Sequence, residues 1–215
     1  MAATFKKFGI KEVADVKFYT VGDVKVNPTT GEVTLKSTDT KAQLEFSTLK
    51  VSNLEFTGET AEARGGKGNT VLMSWDHSRE ATLTLEDALL STETLNAMLS
   101  SNEIGGDDDS AIITIDAAGF PGTYTVVGKT YARDEDGTDQ FLTFVIWKAK
   151  VQAEATFEMS ADGDPSTLNM TLKVLRASED NTIGSKDGEL MKFILDKNQT
   201  SKKANPTITW PVYKA

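Results

Sequence analysis

Several short stretches of the chain hold residue types that could do chemistry. In "SWDHSRE", Asp76, His77 and Ser78 stand in succession and offer an acid, a base and a hydroxyl. Consecutive residues of a strand point to opposite faces, so these three cannot form a hydrogen-bonded relay among themselves. Nothing else in the chain has the form of a nucleophile elbow. His77, the single histidine, therefore reads as a surface or strand-end residue. "RGGKGN", Arg64 to Asn69, invites comparison with a phosphate loop, but that loop needs G-x-x-x-x-G-K-[ST] between a strand and a helix. Here Lys67 is followed by Gly68 and then by strand-like text, and the glycines read as a basic loop that permits unusual dihedrals. "GGDDDS" and "ADGDPS" gather carboxylates without the spacing of a calcium loop, as solvated turns do. There is no cysteine, hence no thiolate nucleophile, thiolate metal site or disulfide. The expectation is a protein that is not an enzyme, with no catalytic residue, no metal ligand and no cofactor.

The elements that carry these stretches must come from an ordinary globular composition. The chain has 215 residues, 39% hydrophobic and 26% charged, which suffices for one core. One domain over 1–215 is expected, with an N-terminal arm over about 1–12 and a loop-rich extension over about 180–215. Formal net charge is −9, so the surface repels phosphate backbones and suits a protein that lets nucleic acid pass better than one that grips it. No apolar run has signal-peptide or membrane-span length, so the expectation is cytosolic synthesis without membrane insertion.

The dominant pattern is alternation with period two, the mark of strands with one buried face. Leu49 and Val51, then Leu54 and Phe56, alternate with polar residues, with a phase slip at Ser52–Asn53. In "REATLTLED", Ala81, Leu83 and Leu85 face one way. "NPTTG" and "DEDG" supply turns, the second joining "TYTVVGKTYAR" to "FLTFVIWKAKV" as a hairpin. Ser91 can cap a short helix bearing Leu95, Met98 and Leu99 on one face. Around Val145 both parities are apolar, so both faces of that strand need cover. From Lys148 to Met159 the alternation is unbroken, and with "QFLTFVIW" before it the run would span roughly 65 Å at about 3.3 Å per residue. Part of it is expected to bend or to pair with another chain, with Ala149, Val151, Ala153 and Ala155 forming a face open to close approach. Trp75, Trp147 and Trp210 all sit in strand-like apolar text.

"ARGGKGNTVLMSWDHSREATLTLEDALLS", followed by a short helix, resembles a phage tail tube protein (major tail protein), as does "KAKVQAEATFEMSADGDPSTLNMTLKVL" with its late hairpin. The resemblance implies a mainly β fold, a β-sandwich or half-barrel with one short flanking helix and a long extended hairpin. It also implies a structural virion protein of the phage tail, assembled in the host cytoplasm. Six copies would close a ring, and rings would stack into a tube that conducts DNA and the tape measure protein past an acidic or neutral wall. Arg64, Gly65, Gly66, Lys67 and Gly68 would then be an assembly loop, and Trp75 to Leu85 strands of the sandwich. The alternatives from the residues are an acidic β-sandwich that binds carbohydrate or a receptor, which needs exposed aromatics beside a cation site, and a hydrolase, which needs partners for His77.

Overall fold

The computed structural model describes residues 7–10, 12–89, 91–99, 103–107, 110–114, 118–152, 167–201 and 210–213. The elements are β1 (Phe8–Ile10), β2 (Asp15–Thr20), β3 (Val24–Val26), β4 (Val33–Leu35), β5 (Leu44–Phe46), β6 (Leu49–Gly65), β7 (Thr70–Asp87), α1 (Thr92–Leu99), β8 (Glu103–Asp107), β9 (Ser110–Thr114), β10 (Thr123–Asp134), β11 (Asp139–Val151), β12 (Leu168–Val174) and β13 (Met191–Ser201). The protein is mainly β with one short helix, as the alternation predicts.

The main sheet is antiparallel and open, in the order β5-β2-β10-β11-β12-β7-β6. The β10–β11 hairpin is its axis. Along one edge of β10, β2 pairs from Tyr124 to Lys129 and β1 from Ala132 to Asp134. Along one edge of β11, β13 pairs from Asp139 to Ile146 and β12 from Ala149 to Val151. The turn is the expected one: Gly137 takes φ 77 and its N–H donates to Asp134 O, while the Asp134 carboxylate accepts from the N–H groups of Asp136 and Thr138. Asn27 in "NPTTG" likewise accepts from the N–H groups of Thr29 and Thr30 to join β3 and β4. Ser91 caps α1 by accepting from the Thr94 N–H at 3.1 Å.

The apolar residues on both faces of β11 are covered twice. Phe144, Ile146, Ala149 and Val151 enter one core with Phe18, Phe46, Leu83, Leu85, Met170 and Leu172. Val145 and Trp147 enter a second with Tyr19, Val24, Val26 and Val127, closed from above by Ile194 and Trp210. Trp147 is held in register by its indole N–H, which donates to Glu189 at 3.1 Å, and by the Lys192 ammonium 5.1 Å from its ring. β13 is thus built into the sheet through β11, although it follows the loop-like text after Asp180.

Two residues make this double packing testable. Gly128 lies opposite Phe144, whose ring covers it so closely that an added Cβ would sit 2.0 Å from Phe144 Cζ. Gly128→Ala is expected to cost about 1–3 kcal/mol and to lower the melting temperature by several degrees. Tyr19 is 2% exposed in the second core. Burial first, then the charge of Glu45, pushes its phenol from 10.0 up to about 12. A raised phenol keeps its proton in the fold where the unfolded chain releases it, so its contribution is intact below pH 10.0 and lost as pH rises through about 12. Tyr19→Phe should therefore melt with less loss than wild type across that alkaline window. Equal slopes would contradict it.

Candidate assembly interface

Among the described residues β6 and β7 are the longest strands, and only their roots pair with the rest of the sheet. β12 runs beside β7 from Asp87 to Thr82 and stops there. Ala81, Leu83 and Leu85 are buried, and Leu54 packs on the same core. From Thr57 and Glu80 outward the two strands pair only with each other among the described residues. The outer ribbon projects for about 30 Å, at about 3.3 Å per residue. The expectation that Trp75 to Leu85 form strands of the sandwich therefore holds for Ala81 to Leu85 and fails for Trp75 to Glu80, all of which are exposed. Trp75 is 51% exposed and Met73 66%.

A bulge explains the difference. Thr57 pairs with Glu80 but Glu59 pairs with His77, so β7 carries one extra residue at this point. Ser78 absorbs it with φ 57, in the left-handed region. By sequence parity Trp75 and Met73 are in phase with Ala81 and Leu83. The bulge turns them over, so that they share the opposite face with their cross-strand partners Ala61 and Ala63. The ribbon is amphipathic in consequence. One face carries the stripe Ala61, Ala63, Met73, Trp75, bounded on its root side by Glu59 and His77; the other carries Thr60, Glu62, Ser74 and Asp76, with Thr60 Oγ1 donating to Asp76 at 2.9 Å.

The expected assembly-loop residues gather at the ribbon's tip. Gly66, Gly68 and Asn69 take φ 77, 91 and 51, which lets the Asn69 N–H donate to Gly66 O at 3.2 Å and closes the turn. Arg64 binds Glu62 through both Nε and a terminal nitrogen, at 2.9 and 2.6 Å. Lys67 stands exposed at the end, and the loop leads into a strand, not a helix. Ala149 and Val151 lie elsewhere, each fully buried in the chain's own core, which covers that face of β11. Ala153 and Ala155 lie outside the described residues. The apolar stripe was missed by sequence reading, though "GETAEARGG" and "TVLMSW" carry the alternation that encodes it. The phase slip in β6 falls between Leu49 and Val51, slightly earlier than the sequence suggests.

Asp76, His77 and Ser78 do not act together. Asp76 is bonded to Thr60, His77 Nε2 lies 3.3 Å from Glu59 on the other face, and Ser78 is the bulge. Among the described residues no group of three His, Cys, Asp or Glu could hold a metal, and no helix is long and apolar enough to cross a membrane.

A mainly β protein whose most prominent feature is a projecting, amphipathic arm has the anatomy of a structural subunit. The YomU/Tube protein family matches residues 8–111 and 105–186. The chain belongs to this phage tail tube family and is a structural protein of the phage tail, located in the virion. None of the curated proteins matches the chain.

The Ser78 bulge sets which face the stripe occupies, so its backbone is the point to probe. Ser78→Gly should leave the ribbon intact, whereas Ser78→Val, β-branched at positive φ, should loosen it by about 1–3 kcal/mol. The readout is amide hydrogen exchange across 57–80, because the outer ribbon can open without global unfolding. A change of no more than about 0.5 kcal/mol, as for an ordinary surface site, would contradict the strained bulge.

Proposed function

We propose that residues 1–215 form one tail tube subunit and that six copies close a ring, the rings stacking into the tube that conducts DNA and houses the tape measure protein. The observation that carries this reading is the β6–β7 ribbon with an apolar stripe that the chain's own described residues leave exposed. Exposed apolar stripes of this kind mark protein interfaces. The open sheet supports it further, since β5 and β6 end the strand order and each offers an edge to which a neighbour's strand can add. The net charge of −9 favours passage of a polyanion over its retention.

An exposed Trp75 is also what a carbohydrate-binding face would use. There an aromatic ring works among polar groups that hydrogen-bond sugar hydroxyls; on the face of Trp75 the cross-strand and tip-side neighbours Ala61, Ala63 and Met73 are apolar, and the polar side chains Glu59 and His77, in contact with each other, lie only on the root side. That is a surface for another protein.

Negative-stain microscopy at rising protein concentration tests the reading. Wild type should form hollow rings or tubes with six-fold end views. The double variant Met73→Ser, Trp75→Ser should keep its β circular dichroism and remain monomeric. A wild-type chain that stays monomeric at every concentration, also when the other tail proteins are supplied, would overturn the proposal.

A further inference from the structure

The chain carries a receptor for the stripe as well as the stripe itself. Where the sheet fails to close, a groove of about 310 Å³ opens beside the root of β6. Its apolar lining comes from Ile10, Leu54, Phe56, Leu142, Phe144 and Phe193. Ile10, Phe56 and Phe193 are between 48% and 64% exposed, far more than side chains of their size are in a finished core. The volume lies at the lower end of the roughly 300–1,000 Å³ typical of sites that enclose small organic groups, enough for an indole ring.

The occupant cannot be the hairpin of the same molecule. Leu54 and Phe56 lie on one face of β6, opposite Leu83 and Ala81, whereas Ala61 and Ala63 with Trp75 and Met73 lie on the other. The stripe begins only five residues beyond Phe56, about 16 Å at strand rise, so the ribbon would have to fold flat and turn over to reach its own root. A second copy has no such constraint.

Charge gives the same partner and an orientation. Ile10 pairs with Ala132 and Phe8 with Asp134, so the acidic turn Asp134, Glu135, Asp136 begins two residues beyond Ile10. On the ribbon, Met73 pairs with Ala63 and Gly65 with Thr70, so the basic tip with Lys67 begins about as far beyond Met73. With Met73 and Trp75 over the groove and the ribbon pointing along β10 toward its turn, Lys67 falls near the acidic residues.

We propose that Met73 and Trp75 of one copy seat in the groove between Ile10, Phe56 and Phe193 of a second copy, with the Lys67 tip against the acidic turn Asp134–Asp136. This rests on the reading of the ribbon as an assembly arm and adds what it docks to. Donor and receptor are different surfaces of the same chain, so the contact is head-to-tail. It repeats until a ring closes or a filament grows.

The chain has no cysteine, which makes disulfide trapping clean. The full chain bearing Ile10→Cys and Met73→Cys, concentrated and oxidised, should give a ladder of dimers and higher multimers on a non-reducing gel. Phe120, 71% exposed in a separate apolar depression beside Pro121, supplies the control: Phe120→Cys with Met73→Cys should give no ladder. A ladder from the control alone, or from both pairs equally, would overturn the groove while leaving the arm. Oligomers in the microscope with no ladder from either pair would do the same. Oligomers that persist unchanged in the Met73→Ser, Trp75→Ser variant would remove the arm itself. Both cysteine variants should melt within a few degrees of wild type, since the replaced side chains are exposed.

Discussion

The rest of the molecule depends on covering β11 twice. Its inner stretch is apolar on both parities, and each large side chain contributes about 1.5–3 kcal/mol when removed from water. Phe144 and Ile146 can be satisfied only by one layer and Val145 and Trp147 only by another. This single demand draws β2, β5, β7 and β12 to one side and β3, Ile194 and Trp210 to the other. It also explains why the segment after Asp180 returns as β13: the edge of β11 that β12 leaves unpaired before Ala149 needs its N–H and C=O groups bonded.

The arm is where that demand stops. β7 is anchored while β12 accompanies it and becomes half of a two-stranded ribbon where β12 ends at Thr82. Such a ribbon is marginal alone in water. Its ion pair, Arg64 with Glu62, is exposed, and such pairs contribute roughly 0–1 kcal/mol; the contact of His77 Nε2 with Glu59 is exposed as well. The proposed assembly would give such a ribbon a surface to lie against. The Ser78 bulge decides the outcome, since one residue in the left-handed region turns the stripe away from the face of the core.

Much of the fold was legible because it is written locally. The hairpin at Asp134 to Gly137, the Ser91 cap and the two-faced apolar strand follow from residue types at fixed spacing. Of the two stretches that resemble tail tube proteins, Ala63 to Ser91 forms the glycine tip, the ribbon's β7 strand and its root, while Lys148 to Leu175 lies partly outside the described residues. What alternation cannot report is whether a strand has neighbours. Trp75 reads in phase with Leu83 and in apolar text, as a core residue would. Its exposure comes from the end of β12, more than eighty residues later in the chain, and from a bulge at a serine, a residue with no marked preference for positive φ. Likewise Ala149 and Val151 read as a face free for a neighbour because the sequence does not say that the chain's own core fills the space. The sequence determined which faces must be buried. Only the tertiary structure decided which were buried by the chain itself and which, like Trp75 and Met73, were left exposed, because burial is a property of what packs alongside.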